Sequence, residues 1–195
     1  IVKCRECGHA YIQNYNSLPD VDLYSEAPIP ANPVNPEMVN KLHFLLKWIG
    51  EDYLKNKRVL EIGSGSGHLA RIIAQQAKSV TIVELNKSLN KELLPEENIN
   101  LISEDYKYDE SMGLFDLAIC RQVIEHIPNP INFIKEINNC LKPDGHAYLE
   151  VPTADYIYIN NMIWDFHYQH IQYFTKSSFI NGMNQAGLFL NKYHY

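Results

Sequence analysis

Short runs of β-branched and aliphatic residues alternate along the chain with stretches in which apolar positions recur at helical spacing. The first helical pattern starts at Pro36, with Met38, Val39, Leu42, Leu45, Leu46 and Ile49 on one face. Proline suits a first helical turn, and Gly50 can end the helix. Arg58–Ile62 then reads as a strand, followed by a glycine-rich turn and a helix from about His68 to Gln76. Ser79–Val83, Ile99–Ser103 and Phe115–Cys120 read as three further strands. A helix is expected near Pro130–Leu141, stopping at Lys142-Pro143-Asp144-Gly145 before a strand over His146–Val151. A last helix near Lys176–Ala186 leads through Gly187 into a closing strand, Leu188–Tyr195. Strand–helix alternation of this kind predicts an α/β fold, a parallel sheet with helices on both faces.

Before Pro36 the pattern breaks down. Pro19, Pro28, Pro30, Pro33 and Pro36 forbid a regular helix over residues 18–36, which read as a linker or strap. Residues 1–36 are therefore expected to be an appendage, and residues 37–195 the main domain.

Composition narrows the function classes. The chain has 195 residues, 46% of them hydrophobic and 21% charged, which excludes a disordered or collagen-like protein. Its formal charge of −6 argues against a broad phosphate-neutralising surface, so nucleic acid is not an expected partner. No apolar run approaches the ~20 residues of a membrane helix, and no membrane partner is expected. The four cysteines need no disulfide framework at this size, and a reducing cytoplasm is the expected location. The chain starts at Ile1, and the sequence reads as the ordered part of a longer protein.

The strongest chemical signal is Glu61-Ile62-Gly63-Ser64-Gly65-Ser66-Gly67-His68. A strand ending in a glycine loop lets a ligand approach bare backbone at the sheet's carboxyl edge. Glu84 closes the next strand, where a carboxylate can accept both hydroxyls of a ribose. His68 stands where a dinucleotide loop has its last glycine, and no Gly-Lys-Ser/Thr ending is present. The loop is thus unsuited to a diphosphate, which disfavours an NAD-dependent oxidoreductase and leaves a phosphate-free nucleoside.

Glu61–Gly67 resembles the first motif of class I S-adenosylmethionine-dependent methyltransferases. Val83-Glu84, Glu104-Asp105-Tyr106, Phe115–Cys120, Val123-Ile124-Glu125-His126-Ile127 and Leu141–Gly145 follow in that family's order. The resemblance implies a Rossmann-like, doubly wound and mostly parallel sheet. It also implies S-adenosylmethionine as cofactor and a small-molecule methyl acceptor. It places Gly63, Ser64, Gly65 and Gly67 along the methionine part, with Glu61 beneath the loop. Glu84, with Leu85 beside it, would hold the ribose, and Asp105 and Tyr106 the adenine. Cys120, Arg121 and Gln122 would border the amino-acid moiety.

Methyl transfer needs alignment and, for a hydroxyl or carbon acid, a base. His126 and His170 are the candidate bases, with loop ordering as the alternative task of His126. The aromatic stretch 164–175, with Trp164, His167, Tyr168 and Tyr173, is expected to shape the acceptor pocket. Cys4-x-x-Cys7, followed by the proline-rich strap, resembles the tail of the zinc-binding module that precedes nucleotide-sugar C-methyltransferase domains. Two thiolates at this spacing supply half of a tetrahedral zinc site. Where that group has Glu before the histidine, this chain has Gln169, which cannot act as a base. A sugar or nucleotide-sugar acceptor is the expectation. A quinone or other aromatic O-methyltransferase, or a cofactor-binding module without catalysis, are the alternatives.

Overall fold

The computed structural model describes residues 1–15, 35–162 and 169–194. The chain divides into two compact units, residues 22–121 with 140–149, and residues 1–21 with 122–139 and 150–195.

The larger unit is built on a five-stranded sheet of β3 (Arg58–Ile62), β4 (Ser79–Val83), β5 (Ile99–Ile102), β6 (Phe115–Arg121) and β7 (Leu141–Glu150). Their spatial order is β5-β4-β3-β6-β7. Strands β3, β4, β5 and β6 pair in parallel, with Leu60 opposite Thr81 on one side and Ala118 on the other. Phe115 donates its N–H to the Cys140 carbonyl at 2.9 Å, which starts β7 beside the foot of β6. The chain order therefore reverses direction across the sheet between β3 and β6. Ligands bind at such a switch point, outside the carboxyl ends of the strands.

Central strands buried on both faces read as continuous apolar runs, which is why Val59, Leu60, Ile82, Leu117 and Ile119 are all buried. Helix α1 (Pro36–Ile49) adds Leu42, Leu45, Leu46 and Ile49 to this core, and α2 (His68–Ala74) adds Leu69, Ala70 and Ile73. Each such leucine or isoleucine contributes ~1.5–3 kcal/mol when fully buried. Met38, on the same sequence stripe, is instead exposed in the first turn of α1.

The smaller unit holds a three-stranded antiparallel sheet of β1 (Val2–Lys3), β2 (Ala10–Tyr11) and β8 (Gln172–Tyr173). It also holds α3 (Pro130–Asn139), α4 (Ala154–Asn160) and α5 (Lys176–Gln185). Ala10, Ala154 and Tyr173 form its small apolar cluster, with Ile12 against it. The buried Gln172 ties three segments together. Its Oε1 accepts from His9 Nε2 at 2.8 Å, and its amide nitrogen donates to the Ile127 carbonyl at 3.0 Å. Helix α5 opens with a reciprocal cap between Thr175 and Ser178.

Three expectations change. Strand β7 starts at Leu141, so Lys142–Gly145 lies inside the strand rather than before it. The chain folds tightly there: a Cβ on Gly145 would sit 3.0 Å from the Lys142 backbone nitrogen and oxygen. The closing strand over Leu188–Tyr195 does not form among the described residues. Gly187 adopts φ +85, and the Leu188 N–H returns to the Met183 carbonyl at 2.9 Å, ending α5. Phe189 beyond it is 81% exposed, and Lys176 Nζ lies 3.3 Å from the Tyr193 ring centre. Helix α4 and the three-stranded sheet have no counterpart in the sequence reading. The proline-rich expectation falls mainly on residues 16–34, outside the described residues. Among the described residues no helix is long and apolar enough to cross a membrane.

Candidate functional site

In the larger unit, the turn after β3 is shaped by three glycines with positive φ: Gly63 at 71°, Gly65 at 57° and Gly67 at 73°. Other residues pay ~1–2 kcal/mol for that left-handed backbone. Gly67 has a second reason, since a Cβ there would meet Leu94 Cδ2 at 2.6 Å. Gly65 differs from it. No heavy atom lies within 4 Å of the place its Cβ would occupy, so its flank is open.

The loop is fastened to the end of β4. Gly63 donates its N–H to the Val83 carbonyl at 2.9 Å, and Glu84 donates its own to the Ile102 carbonyl at 3.0 Å. The buried Glu84 carboxylate accepts the Gly65 N–H at 2.7 Å on Oε2 and the Asn86 N–H at 2.9 Å on Oε1. One acidic side chain thereby sets both the open glycine and the turn beyond β4.

Beneath the loop, Glu61 is 4% exposed, and its Oε2 has no hydrogen-bond partner; the buried Ser64 Oγ has none either. Burial pushes the Glu61 carboxyl up to about 8, Arg121 opposes the rise, and the Glu84 charge adds to it. The folded chain therefore holds a proton on Glu61 at pH values where an unfolded chain, near 4.5, has released it. The stability this group contributes is full below pH 4.5 and is lost as pH rises towards about 8. Glu61→Gln cannot ionise. Its stability advantage over the parent should grow from pH 5 to pH 8 and then level off, read by urea denaturation without ligand. A pH-independent difference would contradict this assignment.

Of the remaining expected cofactor residues of this unit, Leu85, Cys120 and Arg121 stand at the carboxyl ends of β4 and β6. Leu85 is half-buried beside Glu84, and Asp105 is exposed beyond the end of β5. Tyr106 instead lies close enough to the buried Cys140 thiol to oppose the rise that burial gives it, and Cys140 sits at the foot of β6, away from the carboxyl ends. Cys120 is fully buried opposite Ile62, and Arg121 ends β6 half-buried.

The other expected residues belong to the smaller unit. Gln122 takes φ +53, donates its N–H to the Glu150 carbonyl at 2.9 Å and its amide to Glu150 Oε1 at 3.1 Å. His126 ends a 3-10 turn, Ile124–His126, and its Nδ1 lies 2.8 Å from the Gln169 carbonyl oxygen. The His126 and His170 rings meet edge to face, with centroids 4.9 Å apart. Glu125, named in the sequence only as part of the Val123–Ile127 motif and given no role, gathers with them at 1% exposure. Burial pushes its carboxyl up to about 7, and the Glu150 charge adds to the rise. A signal for it existed: one charged residue among the apolar Val123, Ile124 and Ile127.

Tyr173 is 3% exposed and packs on Ala10 and Ala154. Trp164, His167 and Tyr168 lie outside the described residues. Cys4 and Cys7 are half-buried in a tight turn, with Gly8 at φ +73 donating to the Cys4 carbonyl at 3.1 Å. Backbone hydrogen bonds from Cys7 and Glu6, with one from the Cys7 side chain, hold the Cys4 thiol below its ordinary range. Among the described residues no third His, Cys, Asp or Glu gathers with these two thiols.

A switch-point glycine loop with an open flank, fastened by a strand-end carboxylate, defines a nucleoside-cofactor domain. Comparison with known proteins narrows the class. Residues 34–191 match the family described as "Methyltransferase domain". A ubiquinone biosynthesis O-methyltransferase of Pseudomonas aeruginosa is 30% identical over 128 residues, 62% of this chain and 52% of the relative. The chain thus spans about half the length of that curated relative. A candidate methyltransferase of Bacillus halodurans is similar in structure, with TM-score 0.58 and 25% identity over 77% of this chain and 68% of that one. An S-adenosylmethionine-dependent methyltransferase of Mesorhizobium loti shares the fold, with TM-score 0.61 and 16% identity over 76% and 79%. The chain belongs to the methyltransferase-domain family, as a class I, S-adenosylmethionine-dependent domain.

Proposed function

We propose that this chain transfers a methyl group from S-adenosylmethionine to a hydroxyl oxygen of a small polar acceptor. The open flank of Gly65, held by Glu84, is the observation that carries the reading. It offers bare backbone to a ligand beside a carboxylate suited to a ribose diol. The unpartnered Glu61 Oε2 and Ser64 Oγ fit the charged amino-acid end of the same cofactor. S-adenosylmethionine supplies an activated methyl on a sulfonium, so the protein's tasks are binding, orientation and removal of the acceptor's proton. Gly63, Ser64, Gly65, Gly67, Glu84 and Leu85 hold the cofactor, with Asp105 towards the adenine. Cys120, Arg121 and Gln122 border its amino-acid end. His126 and His170 serve the acceptor's proton, and Trp164, His167 and Tyr168 are assigned to the acceptor, whereas Tyr173, buried on Ala10 and Ala154, is part of the core and not of that place.

Oxygen is favoured over carbon because the C-methyltransferase group that this stretch resembles carries Glu where this chain has Gln169, which cannot draw a proton from carbon. Within hydroxyl acceptors, the name of the 30% identical relative supports a phenol or quinol ring. The Cys4-x-x-Cys7 turn supports a sugar or nucleotide sugar, as half of a zinc-binding appendage. Release of S-adenosylhomocysteine, measured against a panel of catechols and nucleotide sugars, separates the two. Turnover with catechols alone selects the ring, and turnover with nucleotide sugars alone selects the sugar. Cofactor binding without turnover on any hydroxyl would contradict the enzymatic reading and leave a binding module.

A further inference from the structure

Glu125 has no task in the cofactor reading, yet among the described residues it is the most deeply buried charged side chain of the smaller unit. It is 1% exposed, and neither carboxylate oxygen has a hydrogen-bond partner. An ionised carboxylate in such a place costs several kcal/mol unless a positive charge or donors meet it. Two imidazoles lie at its head. His126 Nε2 stands 3.8 Å from Glu125 Oε1, too far for a hydrogen bond, and one ligand atom from each of Glu125, His126 and His170 lies within 4.8 Å of the others.

The supporting geometry also faces inward. The contact of His126 Nδ1 with the Gln169 carbonyl, 2.8 Å, needs the proton on Nδ1. The neutral ring then leaves the lone pair on Nε2, the nitrogen nearer Glu125, the arrangement that outer hydrogen bonds impose on metal-bound histidines. A second clamp fixes the register of the two segments. The Ile171 N–H donates to the Glu125 carbonyl at 3.0 Å, so His170 is held beside the 3-10 turn by backbone on both sides of it.

We propose that Glu125, His126 and His170 bind one divalent transition-metal ion of the zinc class. Two imidazoles and one carboxylate suit zinc and its neighbours, whereas magnesium and calcium prefer all-oxygen sets. Three protein ligands leave coordination open for an oxygen donor. The ion-binding claim itself does not depend on the acceptor.

Calorimetric titration of the metal-free chain with Zn²⁺ tests it, alongside His170→Ala, Glu125→Gln and the double variant Cys4→Ser/Cys7→Ser. One ion per chain is expected in the parent and in the double cysteine variant, with binding at least ~30-fold weaker in His170→Ala and Glu125→Gln. The half-exposed His170 position tolerates truncation, so that variant carries the test if Glu125→Gln does not fold. Thermal melting adds a second readout: Zn²⁺ should raise the melting temperature of the parent and not of His170→Ala. Unchanged affinity in His170→Ala, loss of zinc in the cysteine variant alone, or no binding by the parent would each overturn the site. A parent that binds S-adenosylhomocysteine but not Zn²⁺ would remove the metal and leave the methyltransferase reading standing.

Discussion

Gly65→Ala should weaken S-adenosylhomocysteine binding at least ~100-fold, a loss of ~2.7 kcal/mol, while the fold survives. The two effects separate because of what surrounds the residue. Without ligand, a Cβ at Gly65 meets nothing within 4 Å, so the cost to the fold is the strain of φ +57 alone, ~1–2 kcal/mol. With ligand, the methyl fills the space through which the cofactor reaches the backbone. Gly182→Ala is the matched control. It also meets nothing within 4 Å but lies inside α5, where alanine is the better helix former. It should stabilise the chain by ~0.5–1 kcal/mol and leave binding unchanged. Calorimetry on the two variants checks this; equal affinities would show that the open flank is not where the cofactor lies.

Glu84→Ala should cost as much in binding and more in stability. Its carboxylate accepts the Gly65 and Asn86 N–H groups at 2.7 and 2.9 Å, and alanine leaves both donors without that partner. Hydrogen bonds to a charged group contribute ~1.5–3 kcal/mol each, and water replaces part of that, so a destabilisation of ~2–4 kcal/mol is expected by urea denaturation. Binding should fall ~100- to 1000-fold, because the ribose acceptor and the loop's fastening are lost together. Glu84→Gln separates these contributions. It keeps one carbonyl oxygen for one N–H and should fall between parent and alanine on both scales. Parent-like affinity in Glu84→Ala would remove the ribose assignment.

Much of the larger unit was legible because its signals are local. Strands β3 and β4 begin and end where their apolar runs do, and the loop's need for glycine is written in the positions of Gly63, Gly65 and Gly67. Glu84 was visible as an acidic residue closing a strand, but not its bond to Gly65, a contact across 19 residues. The smaller unit was hardly legible. Its strands have two residues each and exist through pairings such as Ala10 with Tyr173, which no local period announces. Helix α4 leaves Tyr156, Tyr158 and Ile159 exposed, so its sequence shows no single apolar stripe. The reverse error occurred at Leu188–Tyr195, where an apolar pattern has no ladder to join among the described residues. Glu125 shows the same limit for chemistry. Its neighbours in sequence mark it as unusual, but only folding brings His170 to it across 45 positions of chain.

The central claim is that the glycine loop and Glu84 hold S-adenosylmethionine, and one titration tests it most directly. Calorimetry of the chain with S-adenosylhomocysteine should show one ligand per chain, with that binding lost in Gly65→Ala. No binding of S-adenosylhomocysteine, or NADH bound in its place, would contradict it.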